Sequence, residues 1–224
     1  MKVVVCLPTV SRPHDATLAA LEASYPAVTA AGWDFQLVCE IGNAYISGAR
    51  SVMTRKACEA GADVVVYIDH DVSWRPQDLL ALIEAKGEVV AGTYRYKREP
   101  DDYMGFPLDD GHGRSQIRDD GAIEMFSIPA GFLKITRAGI DRFASGYPHL
   151  VYGKRLGQPH VDLFNHGAHD DVWYGEDFAF SRNWRALGEP IWLLPKLHID
   201  HHSGNQVWRG CYHDYLLSQQ QEAA

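Results

Sequence analysis

Strand-like runs at residues 3–7, 35–39 and 64–68 are separated by two stretches of helical composition. This alternation constrains the fold more than any other feature of the chain. The first run, Val3-Val4-Val5-Cys6-Leu7, is continuously apolar, as suits a strand covered on both faces, and Pro8 bounds it. Residues 16–31 read as a helix, with Asp15 as a candidate cap and Pro26 expected to end or kink it. Residues 48–60 read as a second helix, stopped by Gly61. Residues 76–86 read as a third, with Pro76 in its first turn and Gly87 just past its end. Residues 89–91 supply a fourth strand. The rhythm predicts an α/β fold with a mostly parallel twisted sheet and helices on both faces. Ligands on such sheets bind beyond the carboxyl ends of the strands. Those ends lie at residues 8–12, 40–45, 69–71 and 93–98.

The second half changes character. Residues 99–121 are polar and rich in Gly and Asp, which predicts a long loop. Residues 124–128 read as a strand, followed by Pro129-Ala130-Gly131-Phe132 and a short helix from Thr136. Residues 146–174 hold many His, Gly, Asp and aromatic residues with no clean period, the mark of functional loops in a compact domain. Residues 177–187 read as a helix carrying Phe180, Trp184 and Leu187 on one face. A strand at 191–194 and a His-rich stretch at 197–202 follow, and residues 208–221 read as an amphipathic helix. At 224 residues the expected organisation is one domain over 1–224, with halves at 1–98 and 99–224.

Three stretches carry chemistry. In the first, Asp69-His70-Asp71 follows the apolar run Val64-Val65-Val66-Tyr67-Ile68. Charge so near a core needs compensation, and a divalent cation provides it. Hard oxygen ligands suit Mg²⁺ or Mn²⁺, which also bind phosphates. The competing reading is a strand-end turn with solvated Asp residues capping the next helix. In the second, Glu176-Asp177 precedes an amphipathic helix. It offers either a general base or acids that favour the helix dipole. In the third, His198-Ile199-Asp200-His201-His202 offers a metal ligand. On a strand His198, Asp200 and His202 share one face and His201 takes the other.

Together these stretches resemble glycosyltransferases of the GT-A fold, a Rossmann-like architecture, and in particular the small bacterial and phage enzymes near glycosyltransferase family 2. Asp69 and Asp71 match the family's Asp-x-Asp. The segment 43–50 is similar to the stretch that carries Ala-Arg-Asn, with Ala49-Arg50 followed here by Ser51. Ala130-Gly131-Phe132 looks like its Gly-x-hydrophobic stretch on a central strand. Glu176-Asp177 matches its Glu-Asp pair, and His202-Ser203-Gly204 looks like its late His-x-Gly. The preceding His201 leaves that register uncertain by one residue.

The resemblance implies a metal-dependent transferase that moves a sugar from a nucleotide-diphosphate sugar, such as a UDP-sugar, to an acceptor hydroxyl with inversion. Asp69, Asp71 and His202 would hold Mn²⁺ or Mg²⁺. Asp177 would be the base and Glu176 its orienting partner. Pro8, Thr9, Ser11, Arg12, Arg50, Asp69 and Gly131 would line the donor site. Residues 1–98 would then bind the nucleotide sugar and 99–224 the acceptor. A glycan, a small molecule or a hydroxymethylated pyrimidine in phage DNA are all open as acceptors. The net charge of −8 weighs against DNA, whose phosphates call for clustered Lys and Arg. Two alternatives stand beside this reading: a nucleotidyltransferase, and a non-catalytic nucleotide-sugar-binding protein. The four cysteines show no Cys-x-x-Cys spacing, and no run reaches the roughly 18 apolar residues of a membrane span. A cytoplasmic protein with reduced thiols is expected.

Overall fold

The computed structural model describes residues 1–112 and 114–222. In chain order its elements begin β1 (Lys2–Thr9), α1 (Asp15–Ala30), β2 (Asp34–Ile41), α2 (Ile46–Glu59), β3 (Val64–Ile68), β4 (Val72–Trp74), α3 (Pro76–Glu84) and β5 (Val89–Ala91). There follow β6 (Phe106–Pro107), β7 (Ile123–Ser127), β8 (Phe132–Thr136), α4 (Arg137–Gly146), β9 (Val151–Tyr152), β10 (His160–Val161), β11 (Gly167–His169) and β12 (Val172–Tyr174). The chain closes with α5 (Glu176–Ala186), β13 (Trp192–Leu193), β14 (Ile199–Ser203), β15 (Gln206–Trp208) and α6 (Tyr212–Glu222).

The main sheet has eight strands in the order β2-β1-β3-β8-β5-β13-β7-β6. β1 pairs parallel with β2 and β3, and β13 pairs parallel with β5. β8 runs antiparallel between β3 and β5, and β7 runs antiparallel between β13 and β6. Only β8 and β7 therefore oppose the common direction, so the sheet is mostly parallel, as the alternating runs predict. The Gly131-Phe132 stretch enters β8 at the middle of this sheet.

Both faces of the sheet are covered. Val3, Val5, Leu7, Val66 and Ile68 pack on one face with Leu21 and Val28 of α1 and Leu79 and Leu82 of α3. Val4, Cys6, Val65 and Tyr67 pack on the other with Met53 of α2, Phe143 of α4, and Phe180 and Trp184 of α5. Alternate residues of one continuous apolar strand thus feed two cores, which is why β1 and β3 carry no polar side. Full burial of each such aliphatic side chain stabilises by about 1.5–3 kcal/mol. Lys134 of β8 is also buried, at 2% exposure, and its ammonium caps the C-terminal carbonyls of α3 at Ile83 and Ala85. That burial pulls its pKa down to about 8.

The structure corrects several local expectations. α1 continues through Pro26, and its cap is His14, whose Nδ1 accepts from the Ala16 amide at 3.2 Å. Pro26 thus does not end the helix, and Leu21 and Val28, buried on either side of it, hold α1 on the sheet. Asp69-His70-Asp71 leads directly into a short strand, β4, which pairs antiparallel with β14. Three apolar-polar-apolar residues after a turn were too few to signal it. The helix expected at 208–221 starts only at Tyr212, because Gln206–Trp208 form β15 on β14. The 146–174 stretch contains two small hairpins, β9/β10 and β11/β12.

Candidate active site

The Asp69-His70-Asp71 turn closes the carboxyl end of β3. Its peptide groups are well held: the His14 amide donates to the His70 carbonyl at 2.7 Å, and the Thr17 hydroxyl donates to it at 3.0 Å. The two carboxylates point into different surroundings. With Arg50, Tyr94, His201, Glu176 and Asp177 they line a cleft of about 200 Å³.

Asp69 forms the floor. Its Oδ1 accepts from Arg50 Nη2 at 2.8 Å and its Oδ2 from the Tyr94 hydroxyl at 3.2 Å. Arg50 reaches up from α2, is 1% exposed, and also donates to Glu176 Oε1 at 2.9 Å. Its guanidinium lies 5.0 Å from the centre of the Phe164 ring. One planar cation thus ties α2, the end of β3 and the start of α5 together, a task for which the two-sided arginine fork is suited. Gly131 is the neighbour that permits this. Its carbonyl accepts from the Asp69 amide at 3.0 Å. A Cβ there would collide with the Tyr94 hydroxyl and the Asp69 carboxylate.

Asp71 forms the rim. Lys97 Nζ lies 2.5 Å from its Oδ2, and His201 Nε2 lies 3.7 Å from the same oxygen. Burial alone would raise the Asp71 pKa, but hydrogen bonds from His201 and Lys97 hold it well below the usual carboxylate range. His201 Nδ1 sits 2.8 Å from the Arg95 carbonyl. A carbonyl only accepts, so Nδ1 donates to it, and Nε2 is the ring nitrogen that faces Asp71. Among the described residues this is the imidazole nitrogen oriented as a ligand beside the pair.

The His202 amide donates to the Asp71 carbonyl at 2.8 Å, but its ring is not brought to the Asp71 carboxylate. Its Nε2 sits 2.8 Å from the Ser73 hydroxyl, and its ring stacks on His14 at 4.6 Å. The register explains the exchange. His202 and Ser73 share one face of the β14/β4 ladder, whereas His201 takes the other, beneath Tyr94. Asp71 stands in the turn before β4, outside the pleat, so its carboxylate joins the His201 face.

Glu176 and Asp177 open α5. Glu176 is held by Arg50. Asp177 takes the Phe178 amide at 2.8 Å and, among the described residues, has no salt-bridge partner. Burial, and then the charge of Glu176, push its pKa up to about 6. Of the other expected donor-site residues, Thr9 is buried with its hydroxyl unpartnered, at the last position of β1. Ser11 is exposed, and Arg12 turns outward to Asp15 at 2.6 Å. Pro8 lies within β1, buried. Sequence reasoning missed Tyr94 and the Lys97 contact. Both lie in the 93–98 strand end, and the isolated bridge from Arg95 to Tyr103 folds that segment over the cleft.

No protein-family model and no curated protein matches the chain. Solved structures do. A197 from STIV superposes with a TM-score of 0.52 at 14% identity, over 93% of this chain and 94% of its own. GalNAc-T7, solved with UDP, GalNAc and Mn²⁺, superposes with a TM-score of 0.52 at 11% identity, over 90% of this chain and 44% of its own. The chain therefore spans under half the length of that enzyme. At such identities the likeness defines the fold: the molecule has the GT-A-like α/β architecture. None of the described helices is long and apolar enough to cross a membrane.

Proposed function

We propose that the protein is a metal-dependent glycosyltransferase acting on a nucleotide-diphosphate sugar. The observation that carries this reading is the convergence of Asp69, Asp71, His201, Arg50 and Asp177 on one cleft at the carboxyl end of β3. The fold adds support, since the similar GalNAc-T7 structure was solved with UDP, GalNAc and Mn²⁺. The donor types suit the cation, which would draw the two carboxylates and the imidazole closer together, since their ligand atoms do not all lie within 4.8 Å of one another. Carboxylate oxygens with one imidazole nitrogen suit Mn²⁺ or Mg²⁺. Asp71 and His201 would hold it, with Asp69 as the further carboxylate. His201 replaces His202 in this role.

When bound, the cation supplies charge neutralisation to the diphosphate leaving group. The chain's own residues do the rest. Arg50 fixes Asp69 and Glu176 so that the cleft is organised before ligand arrives. The unpartnered Thr9 hydroxyl lies in the segment expected to meet the nucleoside, where a ligand would satisfy it. The Asp177 carboxylate accepts the proton of the acceptor hydroxyl while that oxygen bonds to the anomeric carbon. The bond from that carbon to the diphosphate breaks, and the nucleoside diphosphate leaves. A base with a pKa near 6 is ionised at neutral pH and still basic enough to help.

The test is hydrolysis of a panel of nucleotide sugars with and without Mn²⁺. Wild type should release nucleoside diphosphate only with the metal, and Asp71→Ala should not release it while remaining folded. Metal-independent release, or near-normal turnover in Asp71→Ala, refutes the reading.

A further inference from the structure

A second cluster of ligand-type side chains lies away from the cleft. His198, Cys211 and Asp214 each offer one donor atom, and these atoms all lie within 4.8 Å of one another. They open onto a cavity of about 440 Å³ between the β4/β14 ladder and the start of α6. We propose that this cluster is a thiophilic metal site, taking Zn²⁺ or a similar borderline cation through His198, Cys211 and Asp214, with a water in the fourth position.

The backbone explains why the three converge. His198 and Cys211 face each other across an isolated antiparallel bridge. Residues directly opposed in such a bridge send their side chains to the same side. Cys211 directly precedes α6, and the Tyr215 amide donates to its carbonyl at 3.2 Å. Asp214 therefore follows Cys211 by one helical turn and stands on the same face. A bridge and a helical turn fix three donors without help from any flexible loop.

The donor chemistry separates this site from the cleft. A thiolate, an imidazole and one carboxylate form a mixed soft and hard set, which favours zinc over Mg²⁺ or Mn²⁺. Tetrahedral zinc places ligand atoms about 3.3–3.8 Å apart, so the cluster needs to close by about 1 Å. The Cys211 thiol now donates to the Pro195 carbonyl at 3.4 Å, a weak partner for a group that is 5% exposed. On binding, the thiol loses its proton to solvent and the sulfur bonds the metal. Charge permits it: Arg209, at the rim, lies 3.8 Å from Asp200, which offsets its repulsion. The site faces away from His201, so nothing in the transfer reaction depends on it. It would pin α6 to the strand that carries His201.

The experiment uses the full chain, stripped with a chelator and titrated with Co²⁺. Cobalt bound to a thiolate shows a charge-transfer absorption that carboxylate sites lack. Wild type should show it at one equivalent, and added Zn²⁺ should abolish it. Asp71→Asn should keep it, Cys211→Ser should lose it, and Asp214→Asn should weaken affinity at least ten-fold. Absence of the band in wild type, or an undiminished band in Cys211→Ser, overturns the proposal. If Cys211→Ser does not fold, Asp214→Asn decides, because that side chain is exposed and makes no hydrogen bond among the described residues; unchanged affinity there is equally fatal.

Discussion

The floor and the rim of the cleft use the same chemistry to opposite ends. On the floor, a carboxylate meets a guanidinium that is 1% exposed and shared with a second carboxylate. At the rim, a carboxylate two residues later meets an ammonium whose side chain is 30% exposed. Buried pairs are costly to assemble and costlier to break, whereas solvated pairs contribute little to stability. The floor is therefore a fixed frame. The rim is an exchangeable contact, whose cation can leave when another arrives.

Removing Arg50 breaks the floor most directly. Arg50→Met leaves Asp69 and Glu176 facing each other without their shared counter-charge. Stability should fall by about 3–5 kcal/mol, read from urea unfolding. A loss below about 1 kcal/mol would mean that the floor is no frame. The matching change at the rim, Asp71→Ala, should cost at most about 1 kcal/mol, as for a partly solvated pair. Its effect should fall on the metal: Mn²⁺ affinity, followed by calorimetry, should drop at least ten-fold. His201→Ala should lower that affinity as well, while His202→Ala should leave it nearly unchanged. Equal losses from the two histidines would contradict the assignment of His201 to the cleft.

What the sequence made legible cuts across floor and rim: the carboxylates could be read from it, and most of their partners could not. Strands β1, β3 and β5 declare themselves through continuous apolar runs, and the end of β3 then locates Asp69 and Asp71, while Arg50, inside α2, came only from the resemblance of residues 43–50 to the family's Ala-Arg-Asn stretch. β4 spans three residues, and its pairing with β14 depends on a chain separation of over a hundred residues. No local pattern encodes that register. It decides whether the ring of His201 or of His202 meets the Asp71 carboxylate, so the imidazole beside Asp71 could be named only to within one position. The contacts of Tyr94 with Asp69 and of Lys97 with Asp71 were hidden for a related reason. Their strand end was marked as a place to look, and Lys97 there read chiefly as part of a solvated basic face until the chain from Arg95 to Tyr103 folds back. Gly131 was legible as a motif. That it leaves room for the Asp69 carboxylate was not.

Asp177 stands between floor and rim, and its titration sharpens the comparison. Its pKa is raised to about 6 by burial and by Glu176. In the proposed reaction the deprotonated form is the base, so kcat/KM should rise as pH increases through about 6 and then level. Asp177→Asn should lower turnover by roughly 10²–10⁴-fold and remove that acidic limb. A limb that survives the substitution belongs to another group.

The smallest expected effect is the most discriminating. Lys97 and a divalent cation compete for the Asp71 carboxylate, because both need the oxygen that Lys97 now holds. Lys97→Met removes the competitor. Mn²⁺ affinity should then rise by a few-fold, opposite in sign to every other substitution at the cleft. The displaced ammonium has a natural second partner in the donor diphosphate, so KM for the nucleotide sugar should rise in the same variant. Tighter metal with weaker donor is the signature of a lysine that exchanges one anion for another. If Mn²⁺ affinity instead falls, Lys97 supports the metal site, and the rim is as fixed as the floor.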